Sequence, residues 1–247
     1  MKGKRLTIIL IVFSVFVLVI CLTSALFMLK TVEVNFISIS NNIFDSQSII
    51  NSGGFEYGKN VFLLSKSKYI ENLELNNPYL KVINLETIFP NKVRINCTQR
   101  VGLFCVNIGQ NYYIFDYDFK LLEIVKQHNK SDFVEIKDIE ISSLEVGQVC
   151  YEIMNNYKQI AFCLKEWSND ESFLKMNINS LKIENNKLII NMENQKDIII
   201  KDYKYLLSDK MNVGFSAFSS NLIGDYEYIY IYTNSDDKII CVAGNYD

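Results

Sequence analysis

Histidine, tryptophan and proline are nearly missing from the 247 residues, which hold one His, one Trp and two Pro. His128 would have to serve any Ser–His or Cys–His chemistry by itself. It lies in the polar stretch Gln127-His128-Asn129-Lys130, which reads as a solvated loop. A zinc site needs convergent ligands at short spacing; one His and six Cys without a CxxC pair do not supply them. The ten glycines are scattered, and no GxSxG, SxxK, HExxH or GxxxxGK[ST] pattern occurs, so neither a nucleophile elbow nor a phosphate cradle is indicated. Asp116 and Asp118 flank Tyr117 and imitate a carboxylate pair, but Asp commonly closes turns on its own backbone, and the same holds for Asp236-Asp237. No catalytic, cofactor-binding or metal-ligating residue is assigned. Alanine is scarce as well, at four positions, against abundant Asn and Ile; this bias carries no function.

Charge is missing from residues 6–29, LTIILIVFSVFVLVICLTSALFML. At about 1.5 Å per residue a helix of that length reaches roughly 36 Å, enough to cross a hydrocarbon core of about 30 Å. The run is too long for a signal-peptide core, although Ser24-Ala25 imitates a cleavage site, and a buried core helix is the third reading. Lys2, Lys4 and Arg5 precede the run and only Lys30 follows it, which keeps a five-residue tail cytoplasmic and the bulk of the chain outside. The overall charge of −3 therefore divides. Beyond Leu29 there are 22 basic residues against 28 acidic, a formal −6 that disfavours nucleic acid and anionic lipid as surface partners. With 49% hydrophobic and 21% charged residues, the chain is expected to fold rather than stay disordered.

Cys21 falls in the apolar run, leaving Cys97, Cys105, Cys150, Cys163 and Cys241, an odd number best read as buried free thiols. Cys97 and Cys105 could bridge only if their strands were neighbours. Asn96-Cys97-Thr98 and Asn129-Lys130-Ser131 fit the glycosylation pattern, which matters only in a eukaryotic secretory pathway.

After the apolar run, residues 31–39 alternate as a half-buried strand. Asp45 or Ser46 can cap a short helix that Gly53-Gly54 stops, and Ser65 can cap a second helix carrying Tyr69, Ile70 and Leu73, ended by Asn76-Asn77-Pro78. Residues 79–88 and 92–100 read as strands of a hairpin closed by Phe89-Pro90-Asn91. Strand, helix, helix, strand, strand within about 70 residues is a compact α+β module with two helices on one sheet face. Beyond Val101-Gly102 the pattern changes. Strands are expected at 104–108, 112–116, 120–125, 133–141, 173–184, 187–192, 196–201, 226–233 and 238–242. An amphipathic helix is expected over 151–167, where Ile153, Tyr157, Ile160, Leu164 and Trp167 share a face, and another over about 203–222 with Leu207, Met211, Phe215, Phe218 and Leu222.

In Tyr226-Glu227-Tyr228-Ile229-Tyr230-Ile231-Tyr232, the tyrosines project to one strand face and Ile229 and Ile231 to the other. The plain reading is an interior strand with its Ile face in the core. The functional reading is an interaction surface, since tyrosine combines large contact area with a polar tip. If this strand or its partner strand, with Lys238 and Ile240, lies at a sheet edge, another protein could add a strand to it.

Asn77-Pro78-Tyr79-Leu80, followed by Phe89-Pro90-Asn91-Lys92-Val93-Arg94-Ile95 and Arg100, resembles the end of the POTRA domain in the FtsQ/DivIB family of bacterial cell-division proteins. Gly58-Lys59-Asn60 is similar to the turn before that domain's second helix. Asp116 falls at the aspartate of the family's I-D-x-x-G turn, and Lys210 at the lysine of its C-terminal helix. Gln99 replaces a glutamate, Gly102 a proline, and Lys201 a common glycine, while Phe119 lies near the turn glycine. The resemblance implies an α+β chain: a tail (1–5), a transmembrane helix (6–29), a β-α-α-β-β POTRA-like domain (30–101), and a mixed β-sheet domain with two packed helices (102–247). It further implies a non-catalytic scaffold enriched at the division septum. Its partners would be the bilayer, through residues 6–29, and membrane-anchored coiled-coil proteins of the FtsL and FtsB/DivIC type, with no nucleic acid and no small-molecule substrate. By position the partner-binding strands carry Tyr226, Tyr228, Ile229, Tyr230, Ile231, Tyr232, Lys238 and Ile240. A POTRA protein that binds polypeptides in secretion or envelope assembly is the alternative, and an extracytoplasmic wall hydrolase a remote one.

Overall fold

The computed structural model describes residues 2–38, 44–127, 129, 132–220 and 224–246, with the backbone alone at 2–9, 20–23, 38 and 172. His128 and Leu222 lie outside the described residues. The chain forms two compact units, Met1–Arg100 and Val101–Asp247. The first begins with helix α1 (Lys2–Leu26), whose residues 10–19 are all exposed. Over the described residues no helix is long and apolar enough to cross a membrane. The helix ends at Leu26; three residues later Leu29 is buried in the core of the unit.

That core lies between a three-stranded sheet and two helices. Strand β1 (Thr31–Ser38) runs parallel to β3 (Lys92–Gln99), which pairs antiparallel with β2 (Leu80–Ile88), in the order β1-β3-β2. Helix α2 (Ser46–Gly53) starts where the Asp45 side chain accepts the Ser48 N–H at 2.8 Å. It stops at Gly54, whose φ of +67° suits the left-handed cap that glycine adopts without penalty. Helix α3 (Lys66–Asn76) buries Tyr69 and Leu73. Phe55 stacks on Tyr69 at 4.6 Å, and Val93, Ile95 and Cys97 of β3 complete the floor. Arg100, at the end of β3, pairs with Glu74 of α3 at 2.8 Å and donates to the Leu80 carbonyl, while Glu74 accepts the Val82 N–H. The sequence signature ending in Arg100 is thus a buried fastener between α3 and the hairpin.

The second unit is one nine-stranded sheet in the order β12-β11-β10-β9-β8-β7-β4-β5-β6. Its strands are β4 (Phe104–Ile108), β5 (Asn111–Phe115), β6 (Leu121–Val125), β7 (Val134–Ile136), β8 (Ile178–Glu184), β9 (Lys187–Met192), β10 (Asp197–Lys201), β11 (Tyr228–Thr233) and β12 (Ile239–Gly244). The contacts β4–β7, β7–β8 and β10–β11 are parallel and the rest antiparallel. Helix α4 (Tyr151–Trp167) has the expected bounds and buries Ile153, Tyr157, Ile160 and Leu164. Helix α6 (Leu207–Ser219) buries Leu207, Met211 and Phe215, and Trp167 stacks on Phe215 with centroids 3.8 Å apart.

Two expected strands are corrected. Residues 173–184 divide into a third helix, α5 (Glu171–Asn177), followed directly by β8, because Asp170 caps the Phe173 N–H at 3.3 Å and Phe173 packs on Trp167. The stretch 133–141 keeps only three strand residues in β7 and leaves the extended region at Asp138, where φ is +55°. The helix expected from 203 starts at Leu207, after Leu206 takes a φ of +52°.

Candidate functional site

The features that could engage a partner gather at the β12 end of the large sheet. Strand β11 is interior, parallel to β10 on one side and antiparallel to β12 on the other. Its alternation holds as a pattern: Ile229 and Ile231, 1% and 0% exposed, face the core, and Ile229 also lines the cavity beside α6. Strand β12 is the last strand of the sheet, and among the described residues nothing pairs with its far side. A strand edge leaves one row of backbone donors and acceptors available for another chain.

Register fixes what stands beside that row. Cys241 lies opposite Ile231 and Ala243 opposite Ile229, so both project toward α6; Ile240 and Val242 lie opposite Tyr232 and Tyr230 and project with the tyrosines. Helix α6 sits close to the sheet because residue 214 is glycine: a Cβ there would come within 2.8 Å of Ile198 and Ile231. Beyond Gly214, small side chains at Ser216, Ala217 and Ser220, together with Val213, leave an open cavity of about 640 Å³ against Cys241 and Ala243. An apolar groove therefore runs along one flank of the free edge.

The other flank carries the aromatic face. Tyr228, Tyr230 and Tyr232 are half-buried on β11, while Tyr226 is exposed just before it. Tyr230 receives the Lys187 ammonium at 5.5 Å from its ring centroid, and Tyr228 meets Tyr246 at 4.9 Å. The Tyr246 hydroxyl donates to Asp197, and burial together with that bond pushes its ionisation up. The Tyr246 N–H donates to Glu227 at 2.7 Å, so the C-terminal residues are clasped against β10 and the entry to β11. The turn between β11 and β12 closes on Asn234, whose side chain accepts from the Asp236 and Lys238 N–H groups. Lys238 is exposed at the mouth of the edge and Ile240 is half-buried on it.

The remaining polar candidates serve the fold. Asp116 is buried and accepts the backbone N–H groups of Asp118 and Lys120, both at 2.9 Å. Lys210, fully buried, donates to the carbonyls of Lys201 and Asp202 at 2.9 and 3.2 Å, which ties the exit of β10 to α6; burial lowers its pKa. Cys97, Cys105, Cys150 and Cys163 are buried free thiols, and Cys241 is exposed. The α6 side of the groove was not foreseen, though Gly214 with Ser216, Ala217 and Ser220 on one helix is the signal that marks it.

Comparison with known proteins bears first on the residues of the first unit. The family model described as "POTRA domain, FtsQ-type" matches residues 29–100. The cell division protein DivIB of Clostridium acetobutylicum is 29% identical over 128 residues, covering 52% of this chain and 49% of that protein. DivIB of Clostridium tetani is 26% identical over 201 residues, 80% of this chain and 72% of that protein. DivIB of Clostridium botulinum, strain Loch Maree, is 25% identical over 191 residues, with 73% and 71% covered. The match thus spans about half the length of the first relative and about seven tenths of the other two.

Proposed function

We propose, because the chain belongs to the FtsQ/DivIB family of bacterial cell-division proteins, that it is a non-catalytic scaffold that gathers other septal proteins outside the cytoplasm. Helix α1 anchors it in the cell membrane with the short basic tail inside. The support for an anchor is the uncharged run 6–29 and the outward-facing apolar residues along α1, including Leu10, Phe13, Phe16 and Leu18. A lone soluble helix would hide one such face.

The partners are membrane-anchored coiled-coil proteins of the FtsL and FtsB/DivIC type, and they dock by strand addition on β12. One observation carries this: the free edge of β12 has the α6 groove on one flank and the tyrosine face on the other. An added strand alternates its side chains between the two, so backbone pairing supplies affinity and the groove supplies selection.

Cys241→Arg tests it. The side chain at 241 is exposed, so a guanidinium there fills the groove without entering the core. Recovery of FtsL- and DivIC-type proteins from membranes should fall sharply while the melting temperature holds. Unchanged recovery would sink the edge assignment. A fluorescent fusion of the full chain should gather as a band at the septum, and uniform membrane signal throughout the cell cycle would overturn the division reading.

A further inference from the structure

Phe27, Phe62 and Phe89 come from three separate segments, the residue after α1, the 3-10 turn Val61–Leu63 and the β2–β3 hairpin, yet they form one cluster. Ring centroids lie 5.1 Å apart for Phe27–Phe62, 6.1 Å for Phe27–Phe89 and 5.2 Å for Phe62–Phe89. Phe27 is half-buried and packs against the core of the unit, whereas the other two rings face outward. Phe62 and Phe89 are 61% and 59% exposed, and the neighbouring Leu63 is 71% exposed. Scattered exposed apolar residues need no explanation, but a contiguous aromatic patch does.

The backbone holds the patch in place. The Phe27 carbonyl accepts the Val61 N–H at 2.8 Å, the Leu29 N–H donates to Lys59 at 2.8 Å, and the Lys30 N–H donates to Asn91 at 2.8 Å. Val61 and Leu29 are buried beneath. Only two residues separate the last residue of α1 from the bonded Leu29, so no loose linker intervenes. From Leu6 to Leu26 a helix rises about 30 Å, the thickness of a hydrocarbon core. A span beginning at Leu6 therefore ends where Phe27 begins. Lys30 is exposed next in the chain, and the one acidic side chain of the turn that holds Leu29, Glu56, is paired with Lys59 at 3.1 Å.

We infer that Phe27, Phe62, Leu63 and Phe89 form an apolar foot of the POTRA domain that sits in the headgroup–acyl boundary of the bilayer entered by α1. This rests on the anchor proposed above. Aromatic side chains favour that boundary, and the foot adds a second attachment that fixes the tilt of the POTRA domain on the membrane.

The test uses the full chain in vesicles of phosphatidylethanolamine and phosphatidylglycerol, with Trp167→Phe removing the only native tryptophan. Phe62→Trp and, separately, Phe89→Trp report the foot; Phe162→Trp, at an exposed site of α4, is the control. Lipids brominated near the headgroup end of the acyl chain should quench the two foot reporters several-fold more than the control, with blue-shifted emission. Foot reporters quenched no more than the control, in protein that stays membrane-bound through alkaline extraction, would overturn the foot and leave the anchor standing. Release of the protein by alkaline extraction would overturn the anchor, and the foot with it. A blue shift without bromolipid quenching would assign the patch to a protein contact and also overturn the proposal.

Discussion

The two units solve the same problem, one covered face of a sheet, with different materials. The POTRA unit has a small apolar core and adds polar fasteners: Arg100–Glu74 beneath, and on its sheet the Glu33–Lys92 and Glu33–Arg94 pairs at 3.0 and 2.8 Å. The second unit has a continuous apolar core running from β4 to β11 under α4 and α6, and its polar groups mostly tie turns, as Asp116 and Lys210 do. A small sheet buries too little apolar area to hold itself together by burial alone, so specific polar bonds matter more there. The large sheet can leave one edge strand unpaired because its stability resides elsewhere.

The strongest test of that contrast is Phe215→Ala. Phe215 is 1% exposed and stacked on Trp167, so truncation should cost the second unit about 3–5 kcal/mol, read as a lower denaturant midpoint in tryptophan fluorescence. A loss under about 1 kcal/mol would mean that the apolar core is not what holds this unit. Next is Arg100→Ala, which leaves Glu74 with a charge in a largely buried site and should cost the POTRA unit about 3 kcal/mol. Circular dichroism melts of Arg100→Ala and of the double variant Arg100→Met/Glu74→Met separate lost pairing from lost packing. The double variant should recover much of the loss.

These elements differ in how far the sequence discloses them. Helix α4 and the β2–β3 hairpin were legible because their periodicity is local and, for the hairpin, Phe89-Pro90-Asn91 marks the turn. The alternation of Ile229 and Ile231, with the Ile face toward the core, was legible in the strand itself; that α6, which ends at Ser219, covers that face was not. The groove was hidden for the same reason: it exists only where Gly214 lets α6 approach β10 and β11. Helix α5 was missed because its apolar residues also fit a strand, and the deciding cap at Asp170 is a single residue. At Phe119, where the family places a turn glycine nearby, the chain adopts a φ of +56° with a phenylalanine that stacks on Phe104 at 5.2 Å. Ring packing there compensates a backbone conformation that glycine would take freely.

A smaller effect distinguishes the units by pH. Burial pushes the Cys97 thiol of the POTRA unit from an ordinary value near 9 up to about 11, and burial reinforced by Glu135 pushes Cys105 of the second unit up to about 12. Raised folded-state values mean that the stability is fully present below pH about 9, where both states hold the proton, and is lost as pH rises through 11 and then 12. Denaturant midpoints measured between pH 8 and 10.5 should fall for both units, and Cys105→Ala should flatten the slope for the second. A slope unchanged by that substitution would remove the thiol from the account.

The smallest expected effect probes the solvent face of the POTRA sheet. Asn35 of β1 donates to Asn96 of β3 at 2.8 Å, and Asn96 donates to Asn84 of β2 at 2.7 Å, a row of amides across all three strands. All three amides face water, so each bond formed replaces one to solvent and the net gain is about 0.5–1 kcal/mol at most. Asn35→Ala should therefore lower the POTRA melting temperature by about 2–8 °C, far less than Arg100→Ala on the buried side. Were the two losses equal, the row of amides rather than the buried ion pair would be the principal fastener, and the contrast between a polar-pinned small sheet and an apolar large one would have to be drawn at the surface.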